Sequence, residues 1–272
     1  MLHHQTPSEL RQGALVVSLE VKSEVLGFVY LESAAELSPD DRELIQVMAN
    51  QCAAALDNFR LHHSLVESYD EAIDMLAQVA EFKDGATGTH INRIQEYTRR
   101  VAQALNCNDS DIDLFAKASR LHDVGKVGIP DNILRKPGKL TPEEYVVMQR
   151  HTRIGEAVLG RSSTLAVAKQ VAMSHHEHWD GNGYPKGLKG AEIPFPARIV
   201  AVVDVFDALI STRPYKDSWL ARKAADEIAR GSGIHFDPAV VDAFLALYQE
   251  GRFDDLIAAA LDAVAPGPDK NE

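Results

Sequence analysis

What chemistry this sequence can do rests on a small set of histidines and aspartates. The chain of 272 residues holds 11 histidines. Seven of them follow residue 85, at His90, His122, His151, His175, His176, His178 and His235. His122-Asp123 ends one apolar helical pattern and His175-His176 ends another. The run RIVAVVDVFDALI, from Arg198 to Ile210, is apolar on every side, as in a buried helix. It nevertheless carries Asp204 and Asp207, three residues apart on one face. A carboxylate buried there must meet a cation or a metal. Arg198 or Arg213 is one solution and coordination is the other. Each histidine alone reads more readily as a surface or satisfied core residue than as a ligand, and the joint pattern is what points to a metal centre. Imidazole and carboxylate donors without thiolates suit Fe, Mn, Zn or Ni.

Two strings extend this pattern. Leu121-His122-Asp123-Val124-Gly125-Lys126 resembles the motif of the HD metal-dependent phosphohydrolases. His175-His176-Glu177-His178-Trp179-Asp180-Gly181-Asn182-Gly183-Tyr184-Pro185 resembles the signature of the HD-GYP subfamily. The resemblance covers roughly residues 70–250. It implies an all-helical domain that hydrolyses cyclic dinucleotides, chiefly cyclic di-GMP, at two or three metals. Carried over by motif, the ligands are His90, His122, Asp123, His151, His175, His176 and Asp204, with Asp123 shared between metals. Relatives with a third metal place a Glu four residues before the first ligand histidine. Ala86 stands there and cannot ligate, so two divalent ions are expected, Fe or Mn first, with Mg, Ni or Zn compatible. The expected step is attack of a metal-bridging hydroxide on phosphorus. Lys126, one turn beyond Asp123, would stabilise the developing charge as a second catalytic group. The resemblance places Asp207, Arg213 and Lys216 on the substrate, although Arg213 also reads as a solvated arginine. Gly181 and Gly183 permit unusual backbone paths, and Tyr184 could pack against a base. The family also links this loop to diguanylate-cyclase (GGDEF) domains.

The elements that must carry these residues are mostly helices. His90 opens a helical segment with Ile91, Ile94, Val101 and Leu105 on one face, and residues 112–122 form the next. Thr141-Pro142-Glu143-Glu144 is a capping box that starts a helix through His151, with Gly160 as its stop. Residues 164–178, 196–211, 218–230 and 238–249 continue the series. The Gly/Pro-rich stretches 124–141 and 180–196 are long connections, where function tends to lie. Ahead of this domain, residues 14–31 read as two strands joined at Lys22-Ser23-Glu24, marginal unless something covers them. Ser38-Pro39 then opens a Gly/Pro-free stretch to Asp84. Leu44, Val47, Met48, Cys52, Ala55, Leu56 and Phe59 form a stripe that Leu61, Leu65, Tyr69, Ile73, Leu76 and Val79 extend. One helix of this length would run ~68 Å, and such a stripe usually meets a second copy of itself. Two helices with a break near residues 60–64 are the alternative. Val25 to Leu31 and the helix after it resemble the back end of a GAF-type sensory domain. The front of such a domain is missing from the chain, so no closed ligand pocket is expected.

Composition bounds the rest. A balance of 45% hydrophobic and 25% charged residues is that of a globular protein. The net charge of −12 argues against duplex nucleic acid as a partner. Two divalent ions would add about +4 where a dianion binds, so the same charge does not exclude a phosphodiester. No apolar run reaches ~18 residues and the N-terminus has no signal-peptide pattern, so no membrane span is expected. Cys52 and Cys107 fit a reducing cytoplasm. The fold class expected is mainly α: an all-helical phosphohydrolase domain behind a β-hairpin and a long signalling helix. The expected divisions are 1–60 partial sensory and dimerisation segment, 61–84 connecting helix, 85–250 catalytic domain, and 251–272 C-terminal helix and tail. The expected activity is hydrolysis of cyclic di-GMP to linear pGpG, with or without a further step to GMP, in a homodimer formed through the N-terminal helix. The alternative is a catalytically idle cyclic-dinucleotide receptor, and a phosphohydrolase for other nucleotides is a third, weaker reading.

Overall fold

The computed structural model describes residues 14–33, 36–84, 89–160, 162–211 and 219–262. The chain divides into two units, Met1–Glu71 and Ala72–Glu272. Ala86, Arg213 and Lys216 lie outside the described residues.

In the first unit, strands β1 (Ala14–Val21) and β2 (Glu24–Glu32) pair antiparallel, with Val21 opposite Glu24. The connection is the two-residue turn Lys22-Ser23, both with positive φ, as a tight hairpin requires. Helix α1 (Pro39–Asp84) begins where the sequence signals it should. The Ser38 Oγ accepts from the Asp41 amide and the Asp41 carboxylate accepts from the Ser38 amide, satisfying two orphan donors. It is one helix of 46 residues, without the alternative break near 60–64. Its packing differs from the expected stripe. The small residues Ala49 and Ala53, with Ile45, meet Leu15, Val17, Leu19 and Val29 of the hairpin. The larger Leu44, Val47, Met48, Leu56, Phe59, Leu61 and Leu65 stay exposed. Close approach to a sheet selects alanines over bulky residues, and periodicity alone does not distinguish these two faces.

In the second unit, α2 (Thr89–Ala104), α3 (Asp109–Ser119), α5 (Pro142–Leu159), α6 (Ala166–Ser174) and α7 (Phe195–Ile210) surround the sites of interest. A short α4 (Asp131–Leu134) interrupts the first long connection. Helices α8 (Ala221–Arg230), α9 (Pro238–Gln249) and α10 (Asp254–Asp262) close the core. Helix α7 is apolar all round because it is buried all round: Ile199, Val200, Val202, Val203 and Phe206 are fully enclosed. The Phe206 ring lies edge-on to Tyr97 and Phe244, which locks α7 to α2 and α9. The capping box at Thr141 forms as read, and Gly160 ends α5 with φ +64. Helix α3 is shorter than expected. The amides of Leu121 and His122 bond the carbonyls of Ala118 and Ser119, three residues back, so the chain tightens and leaves the helix before His122-Asp123.

Candidate metal centre

Five elements deliver the marked residues to one place. His90 comes from the first turn of α2, and His122 and Asp123 from the tightened turn after α3. His151 comes from the middle of α5, His175 and His176 from the end of α6, and Asp204 from α7. They form two groups whose candidate ligand atoms lie within 4.8 Å of one another: Asp123, His151, His175 and His176; and His90, His122 and Asp204.

Asp123 stands between the groups. Its Oδ1 is 3.4 Å from His151 Nε2 and 3.7 Å from His175 Nε2. Its Oδ2 is 3.3 Å from His122 Nε2 and 2.7 Å from Lys126 Nζ. Asp204 Oδ1 is 3.6 Å from the Nε2 atoms of both His90 and His122.

The imidazoles are oriented from behind. His122 Nδ1 lies 2.8 Å from the Ser119 carbonyl, His151 Nδ1 2.8 Å from Met148, and His175 Nδ1 3.0 Å from Val171. A carbonyl can only accept, so each Nδ1 holds a proton and each Nε2 is the atom turned toward the site. His90 Nδ1 is held instead by Asp207 Oδ2 at 2.6 Å.

The electrostatics follow from burial and neighbours. Burial drives His175 down to about 3, and burial also lowers His151 and His176. Burial pushes His122 the same way, but the Asp123 and Asp204 carboxylates outweigh it and carry the ring up to about 9. Burial would raise Asp123, yet Lys126, His122 and His151 hold it well below the usual carboxylate range.

These residues fit a divalent cation. His122 Nε2, His151 Nε2, His175 Nε2 and Asp123 Oδ1 are buried and make no hydrogen bond. A buried polar atom left without a partner costs about 1–3 kcal/mol, so four of them in two adjoining groups need an explanation. Donors that share an ion at ~2.0–2.2 Å stand roughly 3–4 Å apart, the separations observed here.

Asp207, expected as a substrate contact, is surrounded by protein groups. Its side chain is fully buried. Arg93 Nε donates to Oδ1 at 2.6 Å and Arg93 Nη2 to Oδ2 at 2.8 Å, while His90 takes Oδ2 from the other side. Burial would raise Asp207, but Arg93 and His90 bring it down to about 2. Both of its oxygens are engaged by side chains of the protein, His90, Arg93 and Ser211. The cation that meets it is Arg93, while Arg198 is paired with Asp237 at 2.8 Å. The sequence pattern alone does not mark Arg93. The available signal was a charged residue three positions after His90, between the core residues Ile91 and Ile94.

Tyr184 stacks on His176, with centroids 4.8 Å apart. Its loop is held by Glu177, a motif residue that had no assigned role. The buried Glu177 carboxylate accepts from the Lys186 amide at 2.8 Å and the Leu188 amide at 3.0 Å. The two loop glycines do different work: Gly181 has φ +89, whereas a Cβ on Gly183 would stand 2.2 Å from the His178 nitrogen. His178 and His235 pair with each other at 3.9 Å, outside both groups. The main chain beside them joins the loop to residues 231–236 through Trp179 N–H to the His235 carbonyl, 3.0 Å.

With this geometry in view, comparison with known proteins is specific. Residues 71–240 match the HD domain family model, and residues 3–65 match a domain of unknown function (DUF3369) rather than the GAF-like class the sequence suggested. A cyclic di-GMP phosphodiesterase of Vibrio cholerae is 45% identical over 241 residues, covering 83% of this chain and 48% of the relative. A 3′3′-cGAMP-specific phosphodiesterase of the same species is 40% identical over 224 residues, covering 82% and 43%. A cyclic di-GMP phosphodiesterase of Thermotoga maritima is 44% identical over 182 residues, covering 66% and 50%. The chain thus spans about half the length of these relatives. Among solved structures, a cyclic GMP-AMP specific phosphodiesterase from V. cholerae aligns with TM-score 0.52 at 21% identity, covering 73% of this chain and 54% of that one. The likeness carries the all-helical fold.

Proposed function

The chain belongs to the HD domain family, and from that premise we propose that it is a metal-dependent phosphodiesterase opening cyclic di-GMP to linear pGpG. The observation that carries this reading is the set of buried, unsatisfied imidazole nitrogens and the Asp123 oxygen converging in two adjacent groups. The names and identities of the relatives support the substrate class.

Asp123, His151, His175 and His176 would hold one ion, and His90, His122 and Asp204 the other, with Asp123 reaching both. Divalent cations held there supply Lewis acidity and lower the pKa of a coordinated water toward neutrality. The protein supplies position and charge. Lys126 keeps an ammonium 2.7 Å from Asp123 Oδ2, where it can meet negative charge building on phosphoryl oxygens. Arg93 and Asp207 fix the His90 ring and its tautomer. Tyr184 offers a ring face beside His176 on which a purine can stack.

The mixed imidazole and carboxylate set supports Fe or Mn. Retention of Lys126 with the whole ligand set favours an enzyme over an idle receptor. The exposed apolar face of α1 supports a homodimer through that helix. The two cysteines, both free, support a cytoplasmic setting. None of the helices among the described residues is long and apolar enough to cross a membrane. A sensory role for residues 1–60 and a GGDEF-domain contact at the Gly181–Pro185 loop rest on the family resemblance.

The test is chromatographic. Manganese-loaded protein is given cyclic di-GMP or 3′3′-cGAMP, with and without a chelator. Chelator-sensitive pGpG production supports the reading. Turnover of 3′3′-cGAMP alone would move the substrate to the hybrid nucleotide, and turnover of neither would remove the proposal.

A further inference from the structure

Beside the metal centre, and sharing Tyr184 with it, lies a cleft of about 520 Å³. One wall is a single face of α5, formed by Val146, Gln149, Arg150, Arg153 and Ile154, and the other is Tyr184-Pro185. The spacing of three, one, three and one along α5 puts all five side chains on one stripe. Arg150 and Arg153 are exposed in a protein of net charge −12, yet neither is paired with a carboxylate among the described residues. The nearby acids are engaged elsewhere, Glu144 with Lys136 and Glu156 with Lys169. Arg153 makes one long bond, Nη2 to the Pro185 carbonyl at 3.5 Å, which ties the two walls together.

A cyclic dinucleotide carries two phosphodiesters and two bases, and the metal centre accounts for one phosphodiester. The remaining half needs an aromatic or apolar wall for its base and a positive locus for its phosphate. We propose that the α5 cleft is the subsite for this second nucleotide. Its phosphodiester sits on the guanidinium groups of Arg150 and Arg153, and its purine lies against Ile154, Val146 and Tyr184. Guanidinium forks match phosphate oxygens bidentately, and 520 Å³ lies in the range of small-molecule sites. This inference rests on the phosphodiesterase reading and adds to it which residues select a dinucleotide over a simple diester.

The test compares two substrates on the manganese-loaded full chain. Cyclic di-GMP has a second nucleotide, whereas bis(p-nitrophenyl) phosphate has one phosphodiester and no second nucleotide. The variant is Arg150→Gln with Arg153→Gln, both exposed helix positions where glutamine is well tolerated. The ratio of kcat/KM for cyclic di-GMP to that for the simple diester is expected to fall at least tenfold, carried by KM. A ratio within twofold of wild type overturns the subsite, and so does a proportional loss of both activities, which a folding or metal defect would give. Arg150→Lys with Arg153→Lys keeps charge without the fork, and an unchanged ratio there would overturn the bidentate contact. If wild type cleaves the simple diester but no cyclic dinucleotide, the substrate reading fails first and the subsite with it, a result distinct from any variant effect.

Discussion

The two groups of candidate ligands are held in place by different means. His151 and His175, in the first group, are steered by main-chain carbonyls of the helices that carry them. In the second group His122 is steered the same way, but His90 depends on Asp207, which in turn depends on Arg93. A carbonyl survives any side-chain substitution. The Arg93–Asp207 pair can be removed without touching a candidate ligand, so the second group can be disturbed alone.

Asp123→Ala should have the largest effect, because its two oxygens face both groups. Metal content should fall in both, and turnover should drop by about a thousandfold or more, as when the centre that activates the nucleophile is lost. Elemental analysis with a chromatographic assay reads both quantities. Arg93→Gln comes next and separates the groups. It leaves Asp207 buried and partly unpaired, and loss of a partner behind a metal-binding histidine typically costs about 10–100-fold in metal affinity or activity. Competition with a chromogenic chelator should show one ion per chain weakened and the other retained, and loss of both would break the comparison. A smaller effect is expected from Gly183→Ala. The added Cβ collides with the His178 nitrogen and the Glu177 backbone, so the loop must shift and carry Tyr184 off His176. KM for the cyclic dinucleotide should rise several-fold while the metal count stays at two. The smallest is Leu65→Glu on the exposed face of α1, with the metal count unchanged and light scattering showing a lower mass.

Much of the site is legible in sequence because its chemistry is costly anywhere else. Histidine pairs at helix ends and a carboxylate within an apolar helix imply partners, and the structure gathers Asp123, His151, His175 and His176 in one group and His90, His122 and Asp204 in another. Asp207 shows where that reasoning stops. Sequence marks it as a buried acid needing a cation, but Arg93 is 114 positions away along the chain, and only the packing of α2 on α7 joins them. The end of α3 departs from the sequence pattern for a similar reason: the apolar pattern runs on to His122, while the backbone tightens two residues earlier. In α1 the periodicity was visible but the buried face was not, since alanines pack on a sheet as effectively as leucines pack on each other.

The most direct measurement is the metal content of the purified full chain, counted per molecule in the same anaerobic preparation whose cyclic di-GMP turnover is followed. Two ions per chain, both lost on chelation together with pGpG production, is the result expected. Full turnover with one ion or none would contradict a site built from two groups sharing Asp123, and three ions would contradict the inference drawn from Ala86.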